Sequence, residues 1–279
     1  MQLRIVHTTG FEYAGKATAS FNEARLTPQT TPGQIVVHTR LEVHPTPWTY
    51  TYRDYWGTHV TAFEVLDPHE SLTVTATATV HTDRGEPAPP QLSWDDVREP
   101  VTADRVTEHL GLPSRVAPPE ELVDAVLGIA EHSDRPGTAA REICSLVNKE
   151  VKYVSGATDV KSVAADAWAN RSGVCQDMAH LVIGGLRTVG IPARYVSGYL
   201  HPKKSAPIGE PVRGESHAWV EWWDDGWHGY DPTNDRDVGD QHVVVATGRD
   251  YADVKPLSGI FSGSGTSHMF VDVQITRLQ

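Results

Sequence analysis

The chain has 279 residues, enough for two domains, and its 39% hydrophobic and 22% charged content is that of an ordinary globular protein. Its 36 acidic against 24 basic residues give a formal charge of −12, which argues against broad binding to a phosphate backbone or to an anionic membrane. The N-terminal residues lack a signal-peptide pattern, no run reaches membrane-spanning length, and two cysteines cannot make a disulfide framework, so the expected compartment is the reducing cytoplasm.

Residues 1–82 read as an N-terminal β domain. LRIVHTT, QIVVHTRLEVHP, TYTYRDYW, THVTAFEVL and SLTVTATATVHT are Thr/Val/aromatic runs, many of them alternating apolar with polar, and Pro-Gly, Trp-Gly and Asp-Pro pairs punctuate them. Short strands without helical period predict an antiparallel sandwich-like sheet. The 14 histidines raise the question of a metal, but HExxH and CxxC are absent. His7, His38, His44, His59, His69 and His81 scatter among the predicted strands, so no metal and no cofactor is expected. Residues 83–117 turn to proline, glycine and charge and read as a weakly patterned connector.

From residue 118 to 279 the period changes. PPEELVDAVLGIAEHS and GTAAREICSLVNKEVKYV carry helical stripes, and Cys144 falls mid-helix on an apolar face, as core packing. A short helix near residues 163–170 precedes RSGVCQDMAHLVIGGLRTVG. There Ser172 is the expected N-cap, Cys175 lies in the first turn, and Gly190 followed by Ile191-Pro192 closes the helix. A thiol at a helix start meets the positive end of the dipole and unpaired N–H groups, which favour thiolate. Strands follow: ARYVSGYL, SHAWVEWW, WHGYD, HVVVATG and HMFVDVQITRL. Helices first and strands after make an α+β domain with a largely antiparallel sheet.

The chemistry-bearing candidates are Cys175, His217 and Asp231. Alternation sets Ala218, Val220 and Trp222 on one strand face and His217, Trp219 and Glu221 on the other. A two-residue turn at Asp225-Gly226 would put Asp231 opposite Val220, on the wrong face. A three-residue loop over 224–226, with glycine left-handed, pairs Trp223 with Trp227 and puts Asp231 diagonal to His217, at about 7 Å between backbones. The odd-length loop is therefore expected. Cys175 would be the nucleophile, His217 the base that takes and returns its proton, and Asp231 the carboxylate that orients the imidazole. The backbone N–H of Cys175 is the natural first oxyanion donor, with Tyr153 or Gln176 as candidate second.

GVCQDMAHLVIGGLRTVGIPARYVSGYL, HAWVEWW and GYDPTN resemble the three blocks of the transglutaminase-like superfamily, in its bacterial branch. GRDYADVKPLSGIFSGSG continues the resemblance, and HTTGFEYAG, NEARLTP and DYWGTHVTAFEV resemble the β domain that precedes that core. Thr58 stands where the resemblance leads one to expect asparagine. The resemblance implies catalytic roles for Cys175, His217 and Asp231, and a cysteine protease or acyltransferase. It also implies a transglutaminase-like, papain-like α+β core with a helix-borne cysteine packed on an antiparallel sheet. The expected reaction is acyl transfer from an amide or peptide carbonyl through a thioester, chiefly as a peptidase or amidase. The alternatives are an amine-accepting crosslinking or amide-forming enzyme and an inactive binding or scaffold module. The expected partner is a peptide or protein substrate, not nucleic acid or membrane.

Overall fold

The computed structural model describes residues 1–156, 162–203 and 207–279. The chain opens with β1 (Gln2–Ala24), β2 (Gln34–His44), β3 (Trp48–Arg53), β4 (His59–Val65) and β5 (His69–Thr82). In β5, Leu72, Val74, Ala76, Ala78 and Val80 are buried while the intervening threonines are part-exposed, the period of two that a half-buried strand demands. All pairings in this sheet are antiparallel. β1 runs through it as the central strand, flanked by β5 along its first half and β4 along its second. The register slips between Glu12 and Ala17, where the two halves meet.

The connector is more ordered than its composition suggests. It forms α1 (Trp94–Arg98) and α2 (Pro100–Val106). Ser93 accepts from the Asp96 N–H, and the Asp96 carboxylate accepts from the Ser93 N–H, a reciprocal cap that starts α1 despite its short apolar stripe. Beyond it the His109 ring wedges between Trp56 and Trp227, with centroids 5.5 and 4.9 Å away, and so ties the first sheet to the second.

Four helices then build the core: α3 (Glu120–His132), α4 (Pro136–Glu150), α5 (Ala164–Asn170) and α6 (Cys175–Thr188), with the short parallel pair β6 (Lys152–Tyr153) and β7 (Ser172–Gly173) between them. Cys144 is fully buried in α4. The strands β8 (Ala193–Leu200), β10 (Ser216–Trp223), β11 (Trp227–Asp231), β12 (Arg236–Asp237) and β13 (His242–Gly248) form a second antiparallel sheet in the order β12-β11-β10-β8-β13. β9 (Pro211–Gly214), β14 (Leu257–Gly263) and β15 (Ser267–Arg277) instead join the first sheet: β14 and β15 pair with β1, and β9 pairs with β15. The whole is the α+β class expected, with an antiparallel curled sheet. Among the described residues no helix is long and apolar enough to cross a membrane.

The helix carrying Cys175 is buried on all sides rather than along one stripe, because α3, α4 and α5 cover the face that the second sheet leaves. Gly190 ends it with φ +83°, and the Ile191 N–H returns to the Leu186 carbonyl at 2.9 Å.

Candidate active site

Cys175 is the first residue of α6. The N-cap is Val174, not the expected Ser172. Ser172 and Gly173 are drawn into pairing with Lys152 and Tyr153, and the Asp177 carboxylate, three residues into the helix, accepts the Val174 N–H at 2.8 Å. The cap is thus supplied from inside the helix. Cys175 is part-buried with a free thiol. It stands where the first N–H groups of a helix have no intrahelical partner.

β10 and β11 are joined by residues 224–226, and Trp223 pairs with Trp227, as the odd-length loop requires. The left-handed residue is Asp225, at φ +58°, not Gly226; a short aspartate tolerates that region. Ala218, Val220 and Trp222 pack into the core with α6, while Trp219 packs beneath the opposite face against Val196 and Val244. His217 belongs to the Trp219 face, yet it heads the strand and meets the helix tip there. Its ring lies close enough to the Cys175 thiol for the two to interact electrostatically. Nε2 lies 2.8 Å from Asp231 Oδ2, which leaves Nδ1 for the sulfur. Cys175, His217 and Asp231 therefore stand in series.

Asp231 is fully buried, and its oxygens are surrounded by donors. Oδ1 accepts the backbone N–H groups of Thr233 and Asn234 at 3.1 and 3.2 Å. Oδ2 faces Asn234 Nδ2 at 2.7 Å, His217 Nε2 at 2.8 Å and His242 Nε2 at 3.2 Å. Burial resists ionisation, but the hydrogen bonds from His217 and His242 outweigh it and hold the carboxyl far below the ordinary range. Burial likewise disfavours charge on His217, and the bonds to Asp231 and then Cys175 overcome it, lifting the imidazole to about 10. His242 goes the other way: burial lowers it, and its bond to Asp231 does not compensate. One carboxylate thus supports one charged and one neutral ring.

Neither Asn234 nor His242 was anticipated. Asn234 was legible in part, since Asp-Pro-Thr-Asn is a turn in which an aspartate accepts the N–H groups ahead of it. Nothing local marks His242, a histidine opening an apolar strand. β10 and β8 lie between β11 and β13, so a flat sheet would separate these strands by about 14 Å. The 3.2 Å bond across them requires the sheet to curl. His217, Asp231 and His242 also place ligating atoms within 4.8 Å of one another, the separation a metal needs. The carboxylate is already fully engaged by N–H donors, and the arrangement is that of a hydrogen-bond network.

Beside His217 opens a cleft of about 430 Å³ lined by Tyr153, Leu200, Pro202, Arg213, Gly214, Glu215, Thr233 and Asn234. Tyr153 is about half exposed, with its hydroxyl 3.5 Å from Glu215. Burial, then the neighbouring Cys175, raises its phenol. Of the two expected oxyanion donors, Tyr153 is thus in the cleft and Gln176, buried in the first turn of α6, does not line it. A larger groove of about 500 Å³ crosses the first sheet between Trp48, Phe21 and Ile260, with none of these reactive groups.

The model of the bacterial transglutaminase-like N-terminal region matches residues 3–81, and that of the transglutaminase-like superfamily matches residues 124–232. An uncharacterised protein of Mycobacterium leprae is 45% identical over 277 residues, 99% of each chain. A protein-glutamine gamma-glutamyltransferase of Pseudomonas aeruginosa is 38% identical over 82 residues, 28% of this chain and 12% of that one. The crystal structure of a "putative cysteine protease" from Cytophaga hutchinsonii superposes with a TM-score of 0.79 at 23% identity, covering 100% of this chain and 91% of that one.

Proposed function

This chain belongs to the transglutaminase-like superfamily, and we propose that it is a cysteine-dependent enzyme that transfers the acyl group of an amide or peptide through a thioester, with water as the main acceptor. The observation that carries this reading is His217, held between the Cys175 thiol and a buried carboxylate. His217 Nδ1 already holds the thiol proton as an imidazolium when Sγ attacks the carbonyl carbon. The tetrahedral oxyanion meets the Cys175 N–H at the helix start, with the Tyr153 hydroxyl as the second donor. When the C–N bond breaks, the imidazolium gives its proton to the leaving amine, and Asp231 holds the ring in the required tautomer. Water, deprotonated by His217, then cleaves the thioester and restores the thiol.

Hydrolysis is preferred because Glu215, Thr233 and Asn234 bring polar groups to the cleft beside His217, where an attacking water can be held. The amine-accepting reading draws on the segment shared with the Pseudomonas gamma-glutamyltransferase. A reducing compartment such as the cytoplasm suits either, since both cysteines are free and Cys175 has to remain so. The deciding experiment incubates the enzyme with a pool of glutamine-containing peptides, with and without a primary amine, and reads the products by mass spectrometry. Cleaved or deamidated peptides support hydrolysis, amine adducts support transfer, and products unchanged by Cys175→Ala would end the proposal.

A further inference from the structure

His242 is only 1% exposed and shares the Asp231 carboxylate with His217. Its tautomer is set by the chain. Nδ1 faces both the Gly239 N–H at 3.1 Å and the Gly239 carbonyl at 3.3 Å, but that carbonyl already accepts the His242 N–H at 3.0 Å, and the Asp231 carboxylate opposite Nε2 can only accept, so the ring proton resides on Nε2, directed at Oδ2. The turn that presents it is gripped from the other sheet. At the end of β5, the Thr82 hydroxyl donates to the Asp240 carbonyl at 2.7 Å. The Arg84 N–H meets the Asp240 carboxylate at 2.8 Å, and its guanidinium donates to the carbonyls of Gly239 and His242 at 3.0 and 2.7 Å. From β2, fully buried Gln34 serves as a substitute strand residue: Oε1 accepts the Val244 N–H at 2.8 Å and Nε2 donates to the Val244 carbonyl at 2.9 Å. Oε1 also receives Arg84 Nη2 at 3.0 Å. These bonds fall where β13 shifts register, a place at which ladder pairing alone would leave the strand poorly located.

We propose that His242 is a positioning residue that fixes Asp231, and that the first sheet sets the place of His242 through Thr82, Arg84 and Gln34. The proposal rests on the reading of Cys175, His217 and Asp231 as the reacting group. Without His242, Oδ2 keeps one neutral donor, Asn234, and the carboxylate gains room to turn as His217 gains and loses its proton. Without Arg84, the carbonyls of Gly239 and His242 lose their shared cation and the turn is free to shift. In this arrangement the N-terminal β region is part of the catalytic scaffold, although every reacting atom lies in the other sheet and α6.

The test uses the full chain and p-nitrophenyl acetate as acyl donor, with Cys175→Ala as background. His242→Phe is expected to lower kcat on the order of 10²-fold with KM nearly unchanged. His242→Gln, whose amide N–H can reach the same oxygen, recovers most of that loss, and Arg84→Met lowers kcat with KM unchanged. In the wild type, NMR of ¹⁵N-histidine-labelled protein is expected to show His242 neutral at about pH 7 with its proton on Nε2. That measurement holds the proposal to account even where a variant does not fold. A proton on Nδ1, or wild-type kcat in His242→Phe while His217→Ala is inactive, would overturn the role of His242. Wild-type kcat in Arg84→Met would overturn that of the first sheet. Turnover that survives His217→Ala would instead remove the catalytic reading beneath both.

Discussion

Replacing Asp231 by asparagine changes few atoms and tests the site at its root. Oδ1 faces two backbone N–H groups, so the amide oxygen settles there. The new NH₂ then occupies the Oδ2 position, opposite Asn234 Nδ2 at 2.7 Å, His217 Nε2 at 2.8 Å and His242 Nε2 at 3.2 Å. Three donors would face a fourth. His217 escapes the clash by giving up its Nε2 proton and carrying one on Nδ1, which leaves a neutral ring beside Cys175 in place of the imidazolium. The imidazolium also loses its main support. In the native site it is lifted from 6.5 to about 10, about 5 kcal/mol in favour of the charged ring, and Asp231 is the first contributor against the burial that opposes it. Wrong tautomer and lost charge together predict a fall on the order of 10⁴-fold in acylation. The assay is the pre-steady-state burst of p-nitrophenol from p-nitrophenyl acetate, with urea unfolding to establish that the variant is folded. A folded variant that acylates within about tenfold of wild type would refute the assigned roles of Asp231 and His217.

Iodoacetamide is expected to modify Cys175 and spare Cys144, which has no exposed surface and whose thiol burial pushes up; peptide mapping that finds Cys144 modified first would contradict the placement. Turnover is expected to decline as pH rises through about 10, where His217 loses the proton that the leaving amine requires, and a decline beginning near an ordinary histidine value would contradict the ion-pair geometry. Acid should unfold the protein through His7 and His180, which burial lowers to about 4 and about 3. Their folded values lie below the unfolded one, so their contribution is complete above about pH 6.5 and disappears as pH falls toward those values; the two together cost about 4 kcal/mol by pH 5, and urea midpoints unchanged between pH 7 and pH 5 would refute this. Gly198→Ala would set a methyl carbon 2.0 Å from the Val243 carbonyl oxygen and 2.6 Å from the Trp219 ring. A loss of about 3 kcal/mol is expected from urea unfolding, together with lower activity because Gly198 pairs with His217, and a variant as stable as wild type would show that the sheet relaxes there.

The features legible from residue order are those that short-range rules govern. Period-two burial in β5, the Gly190 cap, the buried Cys144 and the odd loop between Trp223 and Trp227 all follow from neighbours a few positions apart. That loop then determines the face on which Asp231 lies. Where two short-range signals competed, the chain overrode the simpler one. Ser172 is a good cap by composition but pairs with Lys152, in the short strand that follows α4, and Asp177 assumes the capping role. Within residues 224–226, Gly226 was the natural left-handed residue, yet the ladder places Asp225 there.

Tertiary structure alone decided the rest. His242 reaches Asp231 because the sheet curls, and curl is a property of all its strands together, not of the seven residues of β13. Arg84, Thr82 and Gln34 hold its turn from a second sheet, a relation between segments about 160 and 210 residues apart that no local pattern encodes. Residue order therefore offered the thiol, the imidazole and the carboxylate as candidates, since each lies in a locally readable helix start, strand or turn. Only the folded chain assigned the donors that keep the carboxylate in place, because those are chosen by what long-range packing brings beside it.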